Sequence, residues 1–309
     1  MTPLLYTLPG NEPLAAALLR ELGAEAGTLE VRRFPDGESY LRLHTSPAGR
    51  EVVLVASLDR PNEKILDVYF AATLARELGA RRVGLVAPYL AYLRQDARFR
   101  DGEAITSVHF ARWLSGFLDW LVTVDPHLHR HPSLDAVYGI PSAVASAAPA
   151  MARWIRAHVA EPLVIGPDAE SAPWAARIAA AADCPHRVLE KRRHGDRDVE
   201  IAPVELGAWR TRTPVLIDDI VSTARTLIAA IAQLRAAGMT RAPVCVGVHA
   251  LFAGDALEAL RAAGAALIAT CNTVSHATNA IDISAELAAA VRDVLGRRQV
   301  PTPGIDRGQ

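Results

Sequence analysis

Short aliphatic runs alternate along this chain with Ala- and Leu-rich stretches of helical length. The runs that read as buried strands lie at 52–56, 83–87, 121–124, 163–165, 215–217, 244–248 and 267–269. The helical stretches between them lie at 62–78, 105–118, 169–182, 225–237 and 255–263, and three of these end directly before a glycine. Strands that alternate with helices form parallel sheets with helices on both faces. The pattern therefore predicts a doubly wound α/β fold.

The length of the chain sets the expected number of domains. Its 309 residues exceed the roughly 100–200 residues of an ordinary domain, so two domains are expected. Glycine, proline and other small residues interrupt the pattern at 139–149, before a new helix and strand begin. We therefore predict one doubly wound domain over 1–144, a second over 145–300, and a flexible tail over 301–309, which is rich in Pro and Gly.

Charge and cysteine content argue against several classes of protein. The net charge is −1 and the pI is near 6.8, so nothing indicates a basic surface for nucleic acid. The chain starts without a basic segment, and no apolar run approaches about 20 residues, so neither an export signal nor a membrane span is expected. Cys184, Cys245 and Cys271 form no CxxC pair, which argues against a disulfide framework or a zinc site. These features predict a cytoplasmic protein with no nucleic-acid or membrane partner.

Polar side chains follow four of the predicted strands. In chain order they are Arg94 with Gln95, Asp125 with His127, Asp168, and Asp218 with Asp219. Ligands of open α/β sheets bind outside the carboxyl ends of the strands. We therefore expect these groups to converge on shared clefts.

The most specific motif follows the strand at 215–217. Asp218 and Asp219 can accept hydrogen bonds from vicinal sugar hydroxyls, and the turn after them opens a helix whose free N–H groups suit a phosphate. The hydroxyls of that turn belong to Ser222, Thr223 and Thr226. A plain Ser/Thr helix cap preceded by surface acids is the alternative. Two acids directly after an aliphatic strand favour the binding interpretation.

This loop resembles the phosphoribosyl-pyrophosphate (PRPP) loop of type I phosphoribosyltransferases and of ribose-phosphate pyrophosphokinases. The resemblance implies two phosphoribosyltransferase-like domains, with a pentose phosphate held in the second. The pentose-binding residues it implies are Asp218, Asp219, Ser222, Thr223, Ala224, Arg225 and Thr226. Ala224 and Arg225 stand where the family usually has Gly-Gly or Gly-Lys/Arg, and alanine lacks the easy access of glycine to positive φ.

The segment Arg-Arg-Phe-Pro-Asp-Gly-Glu at 32–38 resembles the adenine-contacting part of ribose-phosphate pyrophosphokinases. By that resemblance Phe34 would stack on adenine, and Asp36 and Glu38, on either side of Gly37, would accept hydrogen bonds from its exocyclic amine. Taken alone, Pro-Asp-Gly is only a turn.

A second segment, at 87–105, is similar to the ATP-binding stretch and flexible loop of the same family. Arg94 and Gln95 would face the nucleotide there. An ordinary charged loop is the alternative, but dense arginine beside a strand end suits a triphosphate.

The resemblance also implies a Mg²⁺ site formed by His127 and Asp168. Hard Mg²⁺ prefers oxygen ligands and keeps waters, so His127 would act partly through water. His129 and His131, which alternate with His127, read as loop residues rather than as further ligands. Glu170 replaces a usual glycine in the turn after Asp168.

Glu-Lys-Arg-Arg-His-Gly at 190–195 resembles the catalytic flap of the family, in which Lys191 and Arg193 would be catalytic and Arg193 would also contact the pentose substrate. A basic run is otherwise typical of a solvated face. The segments at 249–254 and 271–274 match the family in order as supporting loops.

The resemblance therefore implies a Mg²⁺-dependent transfer of the pyrophosphoryl group of ATP to ribose 5-phosphate, which gives PRPP and AMP for nucleotide biosynthesis. It implies a homo-oligomer with the ATP site near a subunit interface. Two alternatives stay open: a nucleobase phosphoribosyltransferase, which shares the pentose loop, and a non-catalytic regulatory paralogue.

Overall fold

A computed structural model describes residues 2–128, 131–189, 191–194, 198–201 and 206–297, with the backbone alone for 191–194 and 198–201. The predicted tail at 301–309 lies outside the described residues. Two six-stranded sheets, in which every pair of neighbouring strands is parallel, form the framework of the molecule. The predicted doubly wound α/β fold is therefore confirmed.

The first half of the chain forms one sheet and a separate hairpin. Its elements are β1 (Leu4–Thr7), α1 (Glu12–Leu22), β2 (Glu25–Gly27), β3 (Leu29–Arg33), β4 (Ser39–Leu43), β5 (Glu51–Val55), α2 (Pro61–Glu77), β6 (Arg82–Ala87), α3 (Thr106–Ser115), β7 (Trp120–Val124) and β8 (Ser142–Ala145). The strand order in the sheet is β2-β1-β5-β6-β7-β8. Strands β3 and β4 pair only with each other, as an antiparallel hairpin.

The second half repeats the arrangement. Its elements are α4 (Ala148–His158), β9 (Pro162–Gly166), α5 (Ala172–Ala182), β10 (His186–Val188), β11 (Lys191–His194), β12 (Asp198–Ile201), β13 (Thr213–Val221), α6 (Arg225–Ala236), β14 (Val244–Ala250), α7 (Ala256–Ala262), β15 (Leu267–Cys271), β16 (Asn279–Ile281) and α8 (Ser284–Gly296). The sheet order is β10-β9-β13-β14-β15-β16, and β11 pairs with β12 as a hairpin.

All seven predicted strands are present, while several short strands and two helices were not predicted. These are β1, β2, the two hairpins, β8, β10 and β16, together with helices α1 and α8. The predicted helix at 105–118 is shorter, because α3 ends at Ser115, and the predicted helix at 169–182 starts as a 3₁₀ turn at Ala169–Ser171.

One hydrophobic cluster contains buried side chains from both halves of the chain. It runs from Leu5 in β1 through Trp120 in β7 and Ile155 in α4 to Val291 in α8. Helix α8, the last element within the described residues, packs against α1, β7 and β8 of the first half. Core packing is tight, because a Cβ atom on Gly84 would lie 1.9 Å from the ring of Trp120. This shared cluster fixes the two sheets relative to each other.

We propose that the domain boundary lies between residues 144 and 145, one residue before β8 ends at Ala145 and the chain continues into α4. The last helix nevertheless crosses back over this boundary to cover the first sheet. Within the described part of the chain, no helix combines the length and the apolar character needed to span a membrane.

Candidate active site

A cleft of about 470 Å³ opens where the carboxyl ends of β6 and β13 face each other. The first half lines it with the loop after β6, including Arg94 and Gln95, and the second half contributes Ser222 and Leu251. Residues that lie 127 positions apart in the sequence, Gln95 and Ser222, thus share one cavity. The structure brings the predicted nucleotide segment and the predicted pentose loop together.

Two tyrosines of the loop after β6 shape this cleft. Tyr92 has a φ of 60°, a left-handed conformation that costs a non-glycine residue about 1–3 kcal/mol, and its hydroxyl donates to the Asn62 side chain. Tyr89 is 8% exposed and hydrogen-bonds Arg94. Burial raises the pKa of Tyr89, so its hydroxyl stays protonated. The loop therefore holds the Arg94 guanidinium at the cleft.

At the end of β13, two adjacent carboxyl groups differ in their partners. Asp219 accepts a hydrogen bond from His127 Nδ1 at 2.7 Å and one from the Ile220 amide at 2.8 Å. Burial alone would raise the pKa of Asp219, but the bond from His127 holds that pKa below its usual value. Burial raises the pKa of Asp218 to about 8, and the neighbouring carboxylates of Asp219 and Asp168 add to that rise.

Asp168 lies in the turn that follows β9. Its carboxylate accepts from the Ser171 amide at 3.1 Å, while the Ser171 hydroxyl donates to the Asp168 carbonyl at 2.5 Å. This reciprocal cap orients the carboxylate at the start of the turn. Gly166 makes the turn possible, because a Cβ atom there would lie 2.4 Å from Ser171 Oγ. Glu170, where the family has glycine, is accommodated without a positive φ.

The pentose loop forms despite the missing glycine. Ala224 takes a φ of 57° as the residue before α6, and it is 5% exposed. Arg225 and Thr226 then open the helix. The conformation that glycine would adopt freely is thus imposed on alanine, at a cost of about 1–2 kcal/mol.

The carboxylates of this region fit a divalent cation only in part. Among the described residues, no three His, Cys, Asp or Glu side chains converge as a ready metal-binding set. Asp219 and Asp168 nevertheless lie close enough to Asp218 for their charges to raise its pKa. Mg²⁺ commonly takes one or two carboxylates and completes its shell with water and substrate phosphates. The donor set suits that mode of binding and not an all-protein cage.

The other predicted ATP residues lie on the β3–β4 hairpin. Phe34 is 40% exposed and contacts Tyr40 edge to face at 6.2 Å. The Asp36 carboxylate accepts from the Glu38 amide at 3.2 Å, and Gly37 takes a φ of 93° that favours glycine. A second cavity, of about 560 Å³, lies beside the hairpin and includes Gly37. The structure therefore places the hairpin group and the Arg94–Gln95 group at different cavities of one chain.

Asp67 of α2 anchors the hairpin. Its carboxylate is buried and accepts from Arg33 at 2.8 and 2.7 Å and from the Ser39 hydroxyl at 2.6 Å. We expect Asp67→Ala to lower the free energy of unfolding by about 1.5–3 kcal/mol, because the paired charges lose their bonds. Urea denaturation checks this. Glu77→Ala, on the last turn of the same helix, is the control, and equal stability of the two variants would contradict the anchoring role.

The basic hairpin β11–β12 pairs Lys191 with Ile201 and Arg193 with Val199 along the backbone. The side chains of Lys191 and Arg193 lie outside the described part of the structure. Sequence reasoning gave no individual role to Tyr89 and Tyr92 of the 87–105 segment and overlooked Asp59, and all three line this cleft. Their position just after predicted strands was the signal that could have identified them. That signal does not distinguish them from any other residue of the same loops.

Comparison with known proteins gives consistent matches along the chain. The model of the N-terminal domain of ribose phosphate pyrophosphokinase matches residues 4–116, and that of the phosphoribosyl transferase domain matches residues 134–286. A ribose-phosphate pyrophosphokinase of Methanobrevibacter smithii is 31% identical over 92% of this chain and 98% of its own length. That of Methanopyrus kandleri is 34% identical over 92% of this chain and 96% of its own. The crystal structure of phosphoribosylpyrophosphate synthetase from Mycobacterium smegmatis has the same fold, with a TM-score of 0.81 over 96% of this chain and 99% of its own, at 21% identity.

Proposed function

This chain belongs to the ribose-phosphate pyrophosphokinase family, and we propose on that premise that it transfers the β,γ-pyrophosphoryl group of ATP to the anomeric hydroxyl of ribose 5-phosphate. The products are PRPP and AMP, which supply nucleotide biosynthesis. The observation that carries the proposal is the shared cleft, in which Arg94 and Gln95 face Ser222 of the pentose loop. A cytoplasmic location fits this role.

The pentose end of the reaction falls to the loop after β13. Asp218 and Asp219 accept hydrogen bonds from the ribose hydroxyls, and the N-terminus of α6 receives the 5-phosphate with the hydroxyls of the turn. Residues Ser222, Thr223, Ala224, Arg225 and Thr226 form this phosphate-binding turn. Binding at both ends of the sugar fixes the direction of its anomeric hydroxyl, which such a reaction requires.

The nucleotide end falls to Arg94 and Gln95, with Tyr89 holding the guanidinium. His127 and Asp168 would hold Mg²⁺ together with phosphate oxygens and water. When bound, the cation neutralises charge on the transferred phosphates. Lys191 stabilises the charge that develops on the transferring group, and Arg193 contacts the substrate.

The direct test is incubation of the purified chain with ATP, Mg²⁺ and ribose 5-phosphate. We expect equal amounts of AMP and PRPP, and none of either when ribose 5-phosphate is omitted. A nucleobase phosphoribosyltransferase would instead release pyrophosphate from PRPP and a free base. A regulatory paralogue would bind the ligands without forming AMP.

We further propose that the chain works as a homo-oligomer in which the hairpin of one subunit completes the cleft of another. The support is the separation of Phe34, on an exposed hairpin tip, from Arg94 in the cleft of the same chain. Asp36, Gly37 and Glu38 share that hairpin with Phe34. An adenine ring stacked on Phe34 would then lie between two subunits.

Mixing of two variants tests this arrangement. Phe34→Ala and Arg94→Ala should each weaken ATP binding by about 0.5–2 kcal/mol, the worth of a ring contact or a cation contact. If two subunits form each ATP site, a mixture of the two variants that is dissociated and reassembled contains some sites with both Phe34 and Arg94 intact. Its ATP KM therefore includes a component equal to that of the parent. If the mixture shows only the ATP KM values of the two separate variants, with no component equal to the parent, both residues belong to the site of one subunit.

A further inference from the structure

A fully buried histidine that the proposed chemistry does not use lies where the two halves of the chain meet. His249, in β14, is 1% exposed. Its ring meets the ring of Tyr89 edge to face at 5.0 Å, and Tyr89 belongs to the loop after β6. Burial lowers the pKa of His249 to about 4, so the imidazole is neutral at physiological pH. A neutral ring in this place can fix geometry through directed hydrogen bonds without introducing a charge.

One nitrogen of the ring enters a buried hydrogen-bond chain. A bond of 3.0 Å joins His249 Nδ1 to Thr273 Oγ1. The Thr273 carbonyl accepts from the Ser57 hydroxyl at 2.6 Å, and the Ser57 amide donates to Asn11 Oδ1 at 2.8 Å. All four residues are at most 5% exposed. The chain of bonds thus ties β14 to the first half of the molecule and restrains the ring.

The ring also lies against the backbone of Val124 and Asp125, at the end of β7. Asp125 has a φ of 30°, and two residues later His127 donates to Asp219 at the end of β13. His249 itself pairs in register with Ile220, the residue after Asp219. These contacts therefore connect β14 to the end of β7, the end of β7 to β13, and β13 back to β14.

Two other parts of the cleft depend on the same segment. Tyr89, which packs on His249, hydrogen-bonds Arg94. The Leu251 amide, two residues after His249, donates to the Val221 carbonyl at 3.0 Å beside the pentose loop. The segment around His249 is thus linked by contacts to His127, to Arg94 and to the proposed pentose loop.

We propose that His249 is a positioning residue that sets His127 and Arg94 in their working geometry across the junction of the two halves, with Thr273 fixing the orientation of its ring. The inference rests on the proposed function, in which His127 holds Mg²⁺ and Arg94 contacts ATP. His249 touches no reacting group, so its loss acts through His127 and Arg94. Removal of a residue that hydrogen-bonds a metal ligand typically lowers metal affinity or activity by about 10–100-fold.

The test compares His249→Leu and Thr273→Val with the matched control Thr270→Val. Thr273→Val removes one hydroxyl at nearly constant volume, which keeps the test open if His249→Leu fails to fold. Thr270 is equally buried but bonds Thr278 within the second half, at 2.8 Å. His249→Gln and Thr273→Ser each restore a hydrogen-bonding group near the lost one.

Three readouts separate positioning from stability: Mn²⁺ affinity by water-proton relaxation, amide exchange of residues 88–95 and 124–128, and kcat. We expect His249→Leu to weaken Mn²⁺ binding and kcat by about 10–100-fold and to speed exchange in both segments, with Thr273→Val intermediate. Partial recovery in His249→Gln and in Thr273→Ser supports the proposal. If both test variants match Thr270→Val in all three readouts, the proposal is overturned, even if melting temperatures fall.

Failure of the proposed function would look different. A parent chain that forms no AMP refutes the reaction. The exchange and Mn²⁺ measurements still decide whether His249 positions the two segments, because neither depends on turnover.

Discussion

Lys191→Ala is expected to lower kcat by about 10²–10³-fold, or about 3–4 kcal/mol, and to change either KM by only a few-fold. The ammonium of a lysine is a compact charge that can meet the charge developing on the transferring phosphoryl group. An interaction made mainly in the transition state appears in kcat and not in ground-state binding. The measurement is AMP release at saturating ATP, Mg²⁺ and ribose 5-phosphate, with folding checked by circular dichroism.

Two further variants sharpen the Lys191 experiment. Arg192→Ala removes a neighbouring positive charge from the same hairpin and should leave kcat within about threefold of the parent, because the proposed reaction gives Arg192 no role. Lys191→Arg should recover only part of the loss, because a planar guanidinium does not occupy the position of a point charge. If folded Lys191→Ala turns over within about threefold of the parent, the basic segment is a solvated face and the catalytic assignment fails.

The elements that were predictable share one physical feature, a signal contained in a short window. A buried parallel strand is a continuous aliphatic run, as at β5 (Glu51–Val55) and β14 (Val244–Ala250), and such runs are visible without knowledge of the partner strands. The rule that ligands gather at the carboxyl ends of strands predicted that Arg94 and the loop of Ser222 lie near each other, and both residues line the same cleft.

The elements that were not predicted depend on distant partners. The β3–β4 hairpin contains Pro-Asp-Gly, which indicates a turn, but its flanking strands are only partly buried and lack a strong alternation. Helix α8 belongs to the end of the chain and yet packs on the first sheet, which no local pattern reveals. The contact of His249 with the end of β7 is likewise a product of how the two halves meet.

Local conformation at the pentose loop was also beyond the sequence. Alanine lacks the easy access of glycine to positive φ, so the sequence left the geometry of this turn open at Ala224. The structure shows a φ of 57° at Ala224, with the side chain buried among the residues that pack on α6. Packing of the surrounding core can impose such a conformation when its total gain exceeds the strain.

The second large effect is expected at Asp218. At pH 8.5, above the Asp218 pKa of about 8, we expect Asp218→Asn to raise the KM for ribose 5-phosphate by about 10- to 150-fold, equivalent to about 1.5–3 kcal/mol, through loss of a charged hydrogen-bond acceptor. The KM for ATP should change much less, because Asp218 lies at the end of β13 in the pentose loop. Steady-state titration of each substrate at saturating levels of the other is the measurement. A selective rise in the ATP value would mean that the loop binds the nucleotide.

The same substitution should stabilise the fold in chelator-treated, metal-free buffer, which separates a binding residue from a structural one. The pKa of Asp218 rises from 3.8 to about 8 through burial first and then through the nearby Asp219 carboxylate. Because the folded state holds the proton more tightly than the unfolded chain, ionisation opposes folding. This destabilisation is absent below about pH 4, grows as the pH rises toward 8 and is complete above it. The melting temperature of Asp218→Asn should therefore exceed that of the parent at pH 8.5 and match it near pH 4.

Asp282 provides a control of opposite sign for this stability measurement. Burial would raise its pKa, but hydrogen bonds from Ser284 and Asn272 hold the pKa below its usual value. The ionised carboxylate therefore favours folding above the unfolded pKa, and this contribution is lost as the pH falls through the folded pKa. Asp282→Asn should accordingly lower the melting temperature at pH 8.5, where Asp218→Asn raises it. If Asp218→Asn lowers the melting temperature at pH 8.5 as Asp282→Asn does, the Asp218 carboxylate does not destabilise the fold. The interpretation of Asp218 as a binding residue kept in an unfavourable environment then fails.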